Sequence, residues 1–348
     1  MTSLATHEPQ VHPKKLAESA WAVLSIWRLV LAWVVLSGHL LWFSQEKIVW
    51  AEIFNSMGGK AAVICFMLIS GYSIAASLEQ RSEGFYRRRF LRIYPLYFVA
   101  IIFAFALELA VQVPVQLPNW KLDPPLGWSN ALGNLLLLQT FFVKPVPFDG
   151  PVWSLSIEAF YYLLAPLLFC TSRRNLIILC GISATAFLLP KHADWGVVYL
   201  VLSKFNALNY LWSWLLGFML WKSRGQAMYI LLGIAAVMVF YTQSDRFALI
   251  IFCCTSALLL MHQKFNFSSK IQAVFEYLGD ISYPIYLFHL PSFIFGYVFL
   301  RLRSPLGLVL LAVVVSIIAY HLIDRFLKLR YIKPLLFDPR TSLSKSST

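Results

Sequence analysis

Along the chain, apolar runs of 16 or more residues alternate with short polar or basic breaks, at positions 20 to 43, 58 to 78, 91 to 113, 153 to 170, 175 to 190, 205 to 221, 227 to 242, 246 to 262, 281 to 301 and 305 to 327. About 20 apolar residues in a helix cross a bilayer core. The pattern therefore predicts an all-α fold, a polytopic membrane bundle of about ten transmembrane helices. A shorter run, Asn130 to Phe142, has 13 residues and predicts a re-entrant or interfacial piece. Prolines at 114, 118, 124, 125, 145, 147 and 151 make the segment 114–152 an irregular cap, external or re-entrant. Residues 1–19 read as a polar cytoplasmic segment, 20–327 as the membrane domain and 328–348 as a Ser-rich cytoplasmic tail. The first run has 24 residues, more than the 7 to 15 or so of a signal-peptide core, so it is expected to remain as a span.

Composition agrees with the pattern. Of 348 residues, 59% are hydrophobic and 13% charged, about half the charged share of a soluble domain, and that excludes a water-soluble fold. The excess of 29 Lys and Arg over 16 Asp and Glu lies mostly between apolar runs. Basic loops facing the cytoplasm produce such an excess, and nucleic-acid binding is not expected. If Asn130 to Phe142 does not span, 19 of the 29 basic residues fall on the inner side and 9 on the outer, with Arg28 inside a helix. If it spans, the count becomes 13 inside and 15 outside. The positive-inside rule thus favours both termini in the cytoplasm. The five cysteines (Cys65, Cys170, Cys180, Cys253 and Cys254) sit in apolar stretches without paired spacing and read as small core residues. No metal-ligand spacing is present.

Ionisable residues inside spans are expensive and point to function. Arg28 and His39 are 11 residues apart, which in a helix puts them on one face separated by about 16.5 Å. Arg28 can instead snorkel, and His39 can bond a neighbouring carbonyl. Arg88, Arg89 and Arg92 gather guanidiniums at the inner end of the third run, a fork suited to phosphate or simply a topogenic charge. Glu158 falls a turn or two below the outer surface and needs a cation or a proton. His289 lies near mid-depth, with Pro284 expected in the first turns of its helix, and reads as a packing histidine or a second base. His321 and Asp324 read as an interfacial pair.

In this order the segments resemble the membrane acyltransferase 3 family. The resemblance is carried by Arg28-x10-His39, Phe66-Met-Leu-Ile-Ser-Gly71, Phe85-x2-Arg88-Arg89-x2-Arg92-Ile93-x-Pro95-x-Tyr97, Trp153-Ser-Leu-x2-Glu158 and Ser282-Tyr-Pro-Ile-Tyr-Leu-Phe-His289. Phe288 stands where the family often has Trp, and Asp324 where Glu is common. The resemblance implies a stand-alone O-acyltransferase of the cell membrane, the inner membrane in a Gram-negative source. Such an enzyme moves an acyl group, usually acetyl, from cytoplasmic acyl-CoA to a hydroxyl of an extracytoplasmic or lipid-linked carbohydrate. Acyl-CoA would then be a donor substrate with no permanently bound cofactor, and the partners would be the carbohydrate or glycolipid acceptor and membrane lipids. Arg88, Arg89 and Arg92 would hold the CoA phosphates, and Arg28, His39 and Glu158 would form the catalytic stripe. His39, a residue type whose unperturbed pKa is about 6.5, would act as general base or as an acyl carrier. A proton-coupled transporter or glycolipid flippase would also use buried His, Arg and Glu, but no internal repeat supports it.

The charge count makes a topological prediction. Single cysteines at positions 173 and 222 should be shielded from an impermeant thiol reagent in intact cells, and cysteines at 121 and 144 should be labelled; labelling at 173 would reject the topology.

Overall fold

The computed structural model describes residues 18–111, 114–122, 127–188, 206–225 and 247–332. The apolar run 227–242, the first 17 residues and the tail from 333 lie outside the described residues. The helices are α1 (Glu18–Leu40), α2 (Val49–Asn55), α3 (Gly59–Gln80), α4 (Phe85–Val111), α5 (Trp128–Leu135), α6 (Trp153–Cys170) and α7 (Arg173–Leu188). They continue with α8 (Asn206–Lys222), α9 (Ala248–Met261), α10 (Ser269–Val298) and α11 (Pro305–Ala319), the last running on as π-helical turns through Tyr320–Ile332. A two-stranded hairpin, β1 (Val115–Gln116) with β2 (Lys121–Leu122), is antiparallel, Val115 opposite Leu122.

Among the described residues, five helical stretches are long and apolar enough to cross a membrane: Trp21–Phe43, Gly59–Gln80, Phe85–Val111, Pro147–Cys170 and Pro305–Arg330. The last helix shows why the chain is a membrane protein. Leu306, Leu310, Val314, Ile318 and Leu322 follow one another every fourth residue, and all are at least half exposed. That spacing makes one continuous greasy stripe, which suits acyl chains and would be a liability in water.

Close packing of the inner helices rests on glycine. At Gly71 of α3 a Cβ would stand 1.9 Å from the Trp214 carbonyl oxygen, and at Gly217 of α8 it would stand 1.9 Å from the Leu68 carbonyl oxygen. The two backbones are in mutual contact, the arrangement small residues permit between membrane helices. Gly279 plays the same part for α10, where an added Cβ would meet Ser25 of α1 at 2.3 Å. The helix brought in this way is α3, and its buried face carries Ile64, Leu68, Ser70 and Ile74.

Several sequence expectations change. The helix of His289 begins at Ser269, capped by the Ser268 hydroxyl, so Pro284 lies mid-helix. Hydropathy missed its first turns because Lys270, Glu276 and Asp280 are polar there. A membrane helix tolerates such a proline where neighbours satisfy the freed backbone. The run Asn130 to Phe142, expected to be too short for a span, forms α5 of 8 residues followed by a turn through Leu137 and Thr140 at positive φ. His321 and Asp324 do not pair. His321 meets the Tyr277 hydroxyl at 3.0 Å, and Asp324 takes Lys328 at 2.5 Å. Only Cys65 and Cys180 are buried, while Cys170, Cys253 and Cys254 face outward, where an apolar thiol is equally at home in lipid.

The glycine contact is open to test. Gly71→Ala or Gly217→Ala should lower stability in detergent by about 1 to 3 kcal/mol, the usual cost of overpacking. Gly181→Ala, where nothing lies within 4 Å of an added Cβ, should leave the thermal midpoint unchanged or slightly raised.

Candidate active site

Two cavities open along the face of α1 that carries Arg28 and His39. The first, about 370 Å³, is lined by Arg28, Ser70 and Ser73, Arg89 and Arg92, Glu158 and Tyr162, by Asp280, Tyr283 and Tyr286 of α10, and by Asp324 and Lys328. The second, about 690 Å³, holds His39, Trp42, Asn55, Lys60, Trp120 and Lys121. Val63 and Tyr286 line both and form the partition between them.

Local sequence explains how the first cavity is built. Gly84, at φ 63, turns the chain between α3 and α4. Arg88 is used there, donating to the Glu83 and Arg81 carbonyls. The grouping of three arginines is thus divided: Arg89 and Arg92 enter the cavity and Arg88 secures the turn. Arg89 donates to the Ser77 hydroxyl at 2.9 Å and lies over the Phe85 ring, while its buried Nε is without a partner. Arg28 donates to the Ser73 hydroxyl at 2.8 Å, and that hydroxyl donates in turn to the Ile69 carbonyl at 2.8 Å. Among the described residues no carboxylate lies within 4.0 Å of Arg28, Arg89 or Arg92. Their positive charge is left available to the cavity.

Glu158 shares this cavity with the arginines. The helix that carries it, α6, starts among buried residues: Phe148, Asp149 and Val152 just before it are fully buried. Its carboxylate accepts from the Ser70 hydroxyl at 2.5 Å and the Tyr162 hydroxyl at 2.7 Å. The start of α6 is clamped by the turn before it, where Ser156 donates to the Gln139 carbonyl at 2.7 Å and Gln139 donates to the Val152 carbonyl at 3.0 Å. Tyr97, from the arginine motif, holds that turn's helix by donating to the Asn134 carbonyl at 2.5 Å.

His39 is partnered by His289, its Nδ1 3.0 Å from the Nε2 of the other ring. The structure therefore brings His39 together with His289, and Arg28 with Arg89, Arg92 and Glu158, in two neighbouring groups. The Trp42 and His39 rings lie nearly perpendicular with centroids 4.6 Å apart, and Trp42 stacks on Trp120 with centroids 4.7 Å apart and an 11° tilt. The hairpin that carries Trp120 is tied down by Asn119, which donates to the carbonyls of Leu41 at 2.8 Å and Ser44 at 2.6 Å.

Other groups were not singled out in the sequence. Tyr286, one helical turn before His289, donates to the Pro151 carbonyl at 2.7 Å and meets the Ser154 hydroxyl at 2.8 Å. Tyr283 reaches the Ile93 carbonyl at 2.9 Å. Both belong to the motif that ends in His289, so a tyrosine every third residue ahead of an intramembrane histidine was the available signal. Glu108 accepts from the Phe148 backbone N–H at 3.3 Å, and Asp149 is buried with both oxygens unpartnered.

Comparison with known proteins fits this geometry. Residues 21–323 match the Acyl_transf_3 model, described as an acyltransferase domain. MdmB of Streptomyces mycarofaciens, described as an acyltransferase, is 32% identical over 130 residues, 36% of this chain and 32% of its own length. The alignment thus spans about a third of that relative. BcsY of Komagataeibacter xylinus, described as a candidate membrane-bound transacylase, is 27% identical over 304 residues, 77% of this chain and 76% of its own length. No solved structure matches the chain. With the family model covering nearly all of the helical bundle, the chain belongs to the membrane acyltransferase 3 family.

Proposed function

We propose that the protein is an integral-membrane O-acyltransferase of the cell membrane that takes an acyl group, acetyl in the simplest case, from cytoplasmic acyl-CoA. The acceptor is a hydroxyl of an extracytoplasmic or lipid-linked carbohydrate. The observation that supports it is the pair of cavities on α1, the first with the guanidiniums of Arg28, Arg89 and Arg92 and the second with His39 among aromatic rings, with Val63 and Tyr286 lining both. In this reading the bundle has ten spans with both ends in the cytoplasm.

The phosphates of the donor dock on Arg89 and Arg92, whose guanidiniums offer paired donors. The pantetheine arm runs along α1 past Arg28, and the free acceptor positions of Glu158 suit the amide N–H groups of that arm. At the partition the thioester meets the acceptor hydroxyl. The hydroxyl oxygen bonds to the thioester carbonyl carbon as its proton passes to the His39 ring. The carbon–sulfur bond then breaks, and the imidazolium returns its proton to the departing sulfur, leaving an acyl ester and free CoA. The Trp42 and Trp120 rings give the acceptor sugar a flat surface beside His39.

Purified protein given acetyl-CoA and extracted envelope glycans should release free CoA thiol; intact acyl-CoA after incubation with every acceptor fraction would point to a carrier. Arg89→Ala or Arg92→Ala should weaken acyl-CoA binding by about 1.5 to 3 kcal/mol, the range for a charge-assisted contact. Lys at either position should restore only part, since it lacks the planar fork. His39→Ala and His39→Asn should each lower acceptor acylation by about 10² to 10⁴-fold with acyl-CoA affinity nearly intact.

A further inference from the structure

The contacts of the two histidine rings fix where each proton sits. His289 is fully buried, and its Nδ1 faces two backbone carbonyls of its own helix, Ile285 at 3.0 Å and Tyr286 at 2.9 Å. A carbonyl only accepts, so Nδ1 of His289 carries the hydrogen. No carboxylate is among the partners of either ring to pair with an imidazolium, so both rings are neutral at rest in this reading. A neutral ring has one N–H, so Nε2 of His289 is a bare lone pair. That lone pair lies 3.0 Å from Nδ1 of His39. Two lone pairs at this distance would repel, so Nδ1 of His39 is the donor. The Val35 carbonyl, one turn earlier on α1, is a further backbone acceptor for the His39 ring.

We propose that His289 is a positioning residue that holds His39 as the Nδ1–H tautomer and so leaves Nε2 of His39 as the reactive nitrogen. The chain of contacts runs from the carbonyls of Ile285 and Tyr286, through His289, to His39. It does for an imidazole what a buried carboxylate does in a catalytic triad, with a neutral acceptor in place of the charge. The inference rests on the acyltransferase reading above and holds for both routes, since Nε2 is the base in direct transfer and the nucleophile in acyl-His39 formation. It also accounts for the position of His289. Its nearest ring contacts are Tyr286, Phe293 and His39, and a histidine needed only for packing would not have to present Nε2 to another imidazole.

The test reads tautomers as well as turnover. Nitrogen-15 NMR of histidine-labelled protein in nanodiscs, with His39→Asn assigning the signal, should show Nδ1 of His39 protonated and Nε2 bare. A wild-type His39 with the hydrogen on Nε2 would overturn the proposal without any change at His289. His289→Leu should move the tautomer mixture toward Nε2–H and lower kcat about 10 to 100-fold, the range for removing the partner that orients a functional imidazole. KM for acyl-CoA should stay unchanged. His289→Gln, whose side-chain carbonyl can accept from Nδ1–H, should recover most of kcat. Equal kcat in wild type and an inserted His289→Leu variant would overturn the proposal, as would a Gln variant that folds and fails as fully as Leu. Failure of the acyltransferase reading would show separately, as no CoA release by the wild type.

Discussion

The backbone contact of α3 with α8, made through Gly71 and Gly217, is the constraint on which both cavities depend. It holds α3 in the interior, and α3 then carries Val63, Ser70, Ser73 and Ser77 to the places where function is assigned. In lipid there is no hydrophobic drive between helices, so such contacts must be supplied by close packing. A single methyl at either glycine would separate the helix of the serines from its support.

The choice of partners for the arginines follows from the same economy of charge. Arg28 and Arg89 are held by the hydroxyls of Ser73 and Ser77, not by carboxylates. A salt bridge would neutralise them and would have to be broken for any phosphate docked as proposed, whereas a hydroxyl orients the guanidinium and leaves its charge free. Glu158, the one acid close to them in the motif set, is itself occupied by Ser70 and Tyr162. Serine and tyrosine thus set the orientation of opposite charges in one cavity without letting them cancel.

Most of the helices were legible as apolar runs, because a lipid-facing stripe such as that from Leu306 to Leu322 demands one. What hydropathy could not show was the polar start of α10 at Ser269, and with it the depth of Pro284. The candidate site was legible as a set of residues and less so as a geometry. The 11-residue spacing of Arg28 and His39 correctly set them on one line, yet the wall between them comes from Val63 and Tyr286, on other helices. Arg88 was grouped with its neighbours because adjacent arginines look alike in a sequence, and only the carbonyls of the turn distinguish it. The contact of His39 with His289 spans 250 residues, a distance no local pattern encodes.

The Val63 and Tyr286 partition has a consequence for the cell that houses the protein. A helical bundle hollowed from both ends is close to being a pore, and a pore would drain the ion gradients that an energised membrane maintains. Tyr286 is held by the Pro151 carbonyl and the Ser154 hydroxyl, so the barrier is a fixed one with its own polar atom already partnered. With Val63 and Tyr286 between them the two cavities stay separate, so a polar interior can exist in the bundle without a continuous path for ions.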